Sequence, residues 1–300
     1  MRFPLAAAVL FACPLLAPAG EKGDTNVLTV IDRDSKEHKL KDWRFVTGTR
    51  KLSWLAPADK EPVKGKKSPP AGPEVFVVSE GEYFYKKRVL TFVPIESVRS
   101  FEFEPAEKKL TIRVVVGAKE EDDVKLEVVT GYENTNIFVV EAETDLGELG
   151  KATVRFQSTG NKGVKSFRFS NPKPAAPLPQ GRTGKIKQQD TKLPTFRFVD
   201  LQPLYLTGGG QEKLLPHLYF KETVKVELAK IEKISGEKLD FVLTLAGGKE
   251  QPPLVLLERP KDADGKGTLQ LEGLVGRGIV GWRLFPMIAV GELLFDDKNK

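Results

Sequence analysis

The sequence predicts an all-β protein built of two related antiparallel domains, sandwiches or partly closed barrels, joined by a proline-rich linker. Three observations carry that expectation. The first is a recurring hexapeptide: Val98-Arg99-Ser100-Phe101-Glu102-Phe103 returns as Val164-Lys165-Ser166-Phe167-Arg168-Phe169. Ile231-Glu232-Lys233-Ile234 and Ile279-Val280-Gly281-Trp282-Arg283-Leu284 keep the same apolar alternation, which is the period of a half-buried strand. The second is composition: Val, Ile, Thr and Phe dominate the other periodic runs, with turn residues such as Gly131 and Gly147 between them. The third is proline. Residues 56–73 hold Pro57, Pro62, Pro69, Pro70 and Pro73, a loop that neither strand nor helix can traverse. Residues 171–193 hold Pro172, Pro174, Pro177 and Pro179, with Pro194 just beyond, and read as a semi-rigid spacer.

The chain starts with an address. One positive charge, Arg2, precedes an apolar run over residues 3–19, and Ala17-Pro18-Ala19 forms a small-x-small site before the polar Gly20-Glu21-Lys22. Residues 1–19 therefore read as a secretory signal peptide cleaved after Ala19. As a membrane anchor the run is short and is broken by Pro4, Pro14 and Pro18. A lipoprotein reading would acylate Cys13 within Leu10-Phe11-Ala12-Cys13, but Leu15 and Leu16 carry the apolar run past it. The expected location is secreted or periplasmic, with no transmembrane segment after cleavage. Cys13 is the only cysteine, so a mature chain lacking it forms no disulfide and depends on apolar burial.

The first β domain is expected over 24–170. Residues 26–31 read as a strand, Asp32-Arg33-Asp34-Ser35 as a hairpin turn and residues 40–45 as the return. Further strands are expected at 52–54, 75–78 and 83–93. Pro94-Ile95-Glu96-Ser97 suits a single helical turn with proline at its start. Beyond the organising hexapeptide, strands follow at 110–116, 124–129, 136–141 and 151–156. The second domain is expected over 194–296, with strands at 196–198, 218–228, 239–245, 254–257, 268–271, 279–285 and a buried final run at 288–295. The four hexapeptide-like copies suggest an internal duplication on either side of the linker at 171–193.

The net charge of +6 is unevenly spread. Lys60, Lys64, Lys66 and Lys67 oppose only Asp59 and Glu61; Lys173, Arg182, Lys185, Lys187 and Lys192 oppose only Asp190. A nucleic-acid binder gathers its basic residues on a folded face. Here they fall in the expected loop and linker, so no nucleic-acid partner is inferred.

Gly276-Arg277-Gly278-Ile279-Val280-Gly281 spells a dinucleotide fingerprint, but that chemistry needs a helix N-terminus for the pyrophosphate. Trp282-Arg283-Leu284-Phe285-Pro286 follows instead, so a hairpin connection is the better reading. Asp262-Ala263-Asp264-Gly265-Lys266-Gly267 opens like a calcium loop, yet Lys266 and Gly273 stand where oxygen ligands are required; Asp264-Gly265 reads as a turn pair. With only His38 and His217, a multi-histidine zinc site cannot form within one chain. His38 reads as solvated and His217 as packing or surface rather than a general base. No G-x-S-x-G elbow is present, and Glu120-Glu121-Asp122-Asp123 reads as a solvated hairpin tip. No catalytic, cofactor-binding or metal-ligating residue is singled out. The aromatics are more telling. Trp43 and Trp282 read as inward, whereas the consecutive Tyr83-Phe84-Tyr85 must present rings on both faces of a strand. Tyr83, Tyr85 and Trp54 are thus the candidate binding residues.

Gly48-Thr49-Arg50-Lys51-Leu52-Ser53-Trp54-Leu55, then Gly72-Pro73-Glu74, then Leu90-Thr91-Phe92-Val93-Pro94 resemble a family of secreted bacterial all-β proteins to which no activity is attached. The resemblance covers mainly the first domain and implies export. Two functional expectations follow. One is a non-enzymatic exported module of the cell envelope or periplasm, binding an envelope protein or serving structure. The other is a carbohydrate-binding module or carbohydrate-active enzyme that uses surface aromatics and carboxylates on a glycan.

Overall fold

The computed structural model describes residues 27–56, 72–80, 89–104, 109–129, 137–145, 148, 150–158, 163–189, 195–237, 240–261 and 267–296. These residues form β-strands, connected by turns and by three-residue 3-10 turns. The first half contributes β1 (Leu28–Asp32), β2 (Glu37–Leu40), β3 (Trp43–Thr47), β4 (Thr49–Lys51), β5 (Glu74–Glu80) and β6 (Val89–Pro94). It continues with β7 (Val98–Glu104), β8 (Lys109–Val114), β9 (Val124–Val129), β10 (Val139–Asp145), β11 (Lys151–Gln157) and β12 (Val164–Phe169). The second half supplies β13 (Thr183–Gln188), β14 (Phe196–Thr207), β15 (Glu212–Leu214), β16 (His217–Tyr219), β17 (Lys225–Glu227) and β18 (Ile231–Glu237). It ends with β19 (Asp240–Leu245), β20 (Lys249–Glu250), β21 (Leu254–Val255), β22 (Leu269–Gly278), β23 (Gly281–Phe285) and β24 (Val290–Phe295).

Every pairing is antiparallel. A six-stranded sheet runs β2-β1-β12-β7-β8-β9, and a three-stranded sheet runs β11-β10-β3. The largest sheet runs β20-β19-β18-β24-β13-β14-β22-β23-β6-β5-β4, with β15 on β14 and β21 on β19; β16 and β17 form a small ribbon. Among the described residues none of the sheets closes into a barrel. The two near-identical hexapeptides are neighbours: β7 and β12 pair with Phe101 opposite Phe167.

Alternation explains the packing. In β11 the odd residues Lys151, Thr153, Arg155 and Gln157 are exposed, while Ala152, Val154 and Phe156 turn inward. The first core lies between the six-stranded sheet and the inner faces of β3, β5, β6 and β10. Its centre is aromatic: the Phe76 ring lies 4.5 Å from Phe101 and 4.9 Å from Phe45, and Phe101 lies 5.0 Å from Phe138. The second core gathers Ile186, Phe196, Phe198, Ile231, Phe241, Val290 and Leu293. A third, thinner cluster, Leu52, Val75, Phe92, Leu204, Val275 and Leu284, takes side chains from both halves.

Three expectations need correction. The segment 171–193 is more than a spacer, because β13 lies within it, hydrogen-bonded between β24 and β14. Gly184, Ile186 and Gln188 face inward there, while Thr183, Lys185 and Lys187 face solvent. The largest sheet also crosses the expected boundary, since β6 of the first half pairs with β23 of the second. The hexapeptide-like stretch at 279–284 is not one strand either. Ile279 and Val280 form the turn of the β22–β23 hairpin, and only Gly281 onward is strand. The segment that matches the first hexapeptide in its surroundings begins at Val290. Pro286 precedes the 3-10 turn Met287–Ala289 and β24, as Pro94 precedes the 3-10 turn Ile95–Ser97 and β7.

The expected return at 40–45 falls mostly in β3, which pairs with β10; β1 instead forms its hairpin with β2, and the turn closes on Asp32, as the turn residues predict. Its Oδ1 accepts from Lys36 N at 2.9 Å, and its Oδ2 lies 2.9 Å from His38 Nε2. The His38 hydrogen bond, then that of Lys36, holds the Asp32 carboxyl below its ordinary pKa of 3.8. His38 is accordingly not a freely solvated ring; it lies 4.8 Å from the Phe156 ring.

Two measurements check this packing. Phe101→Ala removes the fully buried centre of the first core and should cost about 3–5 kcal/mol in a denaturant titration. A loss under about 1 kcal/mol would place the core elsewhere. For Asp32 the native pKa is the lower one, so its contribution is present above 3.8 and is lost as pH falls through the native value. Asp32→Asn should therefore be less stable than the parent at neutral pH, with the difference shrinking in strong acid. A difference that stays constant with pH would contradict this.

Candidate functional site

The proline-rich strap between β12 and β13 is tied down along its length. Lys173 N donates to Glu96 O and Ala175 N to Val115 O, both at 2.7 Å, which seats Ala175 in the first core. One residue on, Ala176 O accepts from Arg277 Nη2 at 3.0 Å. Proline cannot supply amide hydrogens, so the non-proline residues carry these bonds. The strap thus runs over the place where the two halves meet, and a cleft opens beside it.

That cleft has a volume of about 440 Å³. Val124, Lys125 and Leu126 of β9 form one wall, and Phe196, Arg197 and Phe198 of β14 with Gly184 of β13 form another. Leu178 of the strap and Ile279 of the β22–β23 turn stand at it, and both are exposed, at 44% and 57%. Water surrounds these two apolar side chains where most others are covered. Lys125, Arg197, Arg277 and Arg283 bring positive charge, against one lining carboxylate among the described residues, Asp296. Thr183 already engages that carboxylate, its Oγ1 donating to Oδ2 at 2.6 Å.

Two of the guanidinium groups are held on aromatic faces. Arg283 lies 4.2 Å above the Phe196 ring and Arg277 4.3 Å above the Trp282 ring. Arg277 is only 6% exposed, and its Nη1 has no hydrogen-bond partner among the described residues. Burial lowers the pKa of this guanidinium from the usual arginine value, though the group stays charged. A buried guanidinium nitrogen without an acceptor is costly to maintain.

The fingerprint-like glycines belong to this hairpin. Gly276-Arg277-Gly278 ends β22 and Gly281 opens β23, so the motif is strand–turn–strand, as the following residues predict. A Cβ on Gly276 would crowd Phe198 and Leu201, which line the second core.

A second cleft, of about 520 Å³, lies on the first half and is lined by Trp43, Pro73, Glu74, Pro94, Glu96, Phe169 and Asn171 among others. The Trp43 ring meets Phe169 edge-on at 5.6 Å, and Lys173 pairs with Glu96 at 3.4 Å. Aromatic rings and carboxylates are thus gathered on one concave surface.

Of the binding residues nominated from the sequence, Tyr83 and Tyr85 lie outside the described residues, as do the 262–266 positions of the calcium-like loop. Trp54 sits edge-on to Phe92 at 5.7 Å with the Arg50 guanidinium 5.5 Å over its ring, against the third cluster rather than in either cleft. Arg50 and Ser53 both bind Glu212 of β15, another tie between the halves. His217 is half-buried, 3.6 Å from Glu227, and burial lowers its pKa. Glu120, Glu121 and Asp122 form an exposed turn, whereas Asp123 is paired with Arg99. Among the described residues no three His, Cys, Asp or Glu side chains are grouped to hold a metal ion.

Sequence reasoning missed Leu178, Phe196, Arg197, Ile279 and Arg283 as a set. Each is an ordinary strand or linker residue in its local context, and only the pairing of β14 with β22, the β22–β23 hairpin and the anchored strap bring them together. Comparison with protein-family models, curated proteins and solved structures finds no match for this chain.

Proposed function

We propose that the chain is an exported, non-catalytic binding module of the cell envelope or periplasm, and that it binds through the cleft between its halves. The observation that carries this reading is the pair of exposed apolar side chains, Leu178 and Ile279, set among four cationic residues over Phe196 and Phe198. Exposed apolar surface ringed by charge is the usual signature of a binding surface. The export half of the proposal is supported by the apolar run at 3–19 and its Ala17-Pro18-Ala19 site.

A second reading is favoured by the other cleft. Trp43 and Phe169 beside Glu74, Glu96 and Asn171 combine an apolar platform with hydroxyl-binding groups, which suits a sugar ring. The two readings use different residues and separate cleanly.

For the first reading, the full-length chain is expressed in a diderm bacterium and recovered by fractionation. The expected product is exported and begins at Gly20, and native mass spectrometry finds bound mass that Ile279→Glu removes. Retention in the cytoplasm with an intact N-terminus would contradict export, and identical bare masses for both proteins would contradict binding at this cleft. For the second reading, a glycan array should show retention that Trp43→Ala abolishes; signals equal to those of denatured protein would dismiss it.

A further inference from the structure

We infer that the cleft between the halves is a binding site for a small amphiphilic anion: an apolar chain or ring that ends in a carboxylate, sulfate or phosphate. The inference rests on the reading of this cleft as the binding site and adds the chemical class of its ligand.

Two properties of the cleft select that class. The first is the apolar surface it leaves wet. Leu178 and Ile279 stay exposed beside Leu126, Phe196 and Phe198, so an apolar guest that covers them removes surface from water on both sides. A purely hydrophilic anion would leave that surface uncovered. The second is charge. Lys125, Arg197, Arg277 and Arg283 line the same cleft, and Asp296, the opposing carboxylate, is already bound by Thr183. A neutral amphiphile would bring no counter-charge to these lining groups, and a cationic one would be repelled.

The guanidinium groups are prepared for an acidic oxygen. Arg283 is stacked on Phe196 and Arg277 on Trp282, which fixes their planes before a ligand arrives. Arg277 also keeps Nη1 without a partner while 94% of the residue is out of solvent, its exposure being 6%. Guanidinium matches carboxylate, sulfate and phosphate alike, because all three present paired oxygens. The structure therefore selects an acidic head without choosing among these three. The volume of about 440 Å³ suits a guest of small-molecule size.

The test uses the mature chain and isothermal titration calorimetry with decanoate, in monomeric solution. Decanoate should bind with a Kd on the order of 0.1 mM. Decyl maltoside, the neutral arm, and inorganic phosphate, the acid-only arm, should each bind at least about tenfold more weakly. Raising the salt concentration should weaken decanoate binding. Ile279→Glu and Arg197→Glu each place a negative charge at an exposed position, so the fold survives, and each should weaken decanoate at least about tenfold. Circular dichroism confirms that the variants are folded. A lipid source is separated by flotation: vesicles of phosphatidylglycerol that retain the protein while decanoate does not bind would overturn the proposal in favour of a charged membrane surface. Equal binding of decyl maltoside, or decanoate binding untouched by both variants, would also overturn it. If decanoate fails while the bound mass sensitive to Ile279→Glu persists, the ligand class is wrong and the cleft still binds something else.

Discussion

The fold turns on a short stretch of backbone where β6 lies against β23. Phe92 stands opposite Trp282, Thr91 opposite Arg283 and Leu90 opposite Leu284. At the start of β23 the two backbones come closer than a Cβ would allow. Gly281 permits this approach: its φ is +154°, and a Cβ there would lie 2.0 Å from Phe92 O. Any other residue would push the two strands apart at their junction. Because they stay paired, the largest sheet is continuous from β20 to β4, and the halves share a surface rather than hanging from a tether.

Other ties reinforce the junction without replacing it. Glu212 accepts from Arg50 and Ser53 on one side of the sheet, and Arg277 reaches Ala176 of the strap on the other part of the seam. The third hydrophobic cluster mixes Leu52, Val75 and Phe92 with Leu204, Val275 and Leu284, so apolar burial itself spans the boundary. The same junction positions the cleft. Ile279 and Arg277 lie in the hairpin that ends at Gly281, Arg283 follows within β23, and Leu178 arrives on the strap that the first core anchors. The cleft and the shared sheet therefore lie at the same seam.

How far the sequence carries depends on where burial leaves a mark. Alternation of large apolar and polar residues announces β1, β5, β7, β12 and the first three residues of β14, which runs on to Thr207, and the Asp32 turn announces its hairpin. It is silent at β13, where two of the three inward positions are Gly184 and Gln188 and only Ile186 is apolar. Lys185 and Lys187, which looked like linker charge, are on the solvent face of that strand. At 279–284 alternation misled for the opposite reason: Ile279 is apolar and exposed, so it imitates a strand residue while standing in a turn. The cleft was less legible still. Its residues come from β9, the strap, β13, β14 and the β22–β23 hairpin, and no local pattern encodes a meeting that topology alone creates. The glycines were visible as a motif, yet their meaning here is steric clearance between chains.

The most direct test of a single shared sheet is hydrogen–deuterium exchange on the Gly281→Val protein, followed along β6 and β23. If the junction joins the halves, the substitution deprotects β23 and the β6 amides that face it together, while β8 in the first core and β18 in the second keep their protection. Loss of protection in β23 alone, with β6 unchanged, would show that the halves are independent and that the seam is incidental.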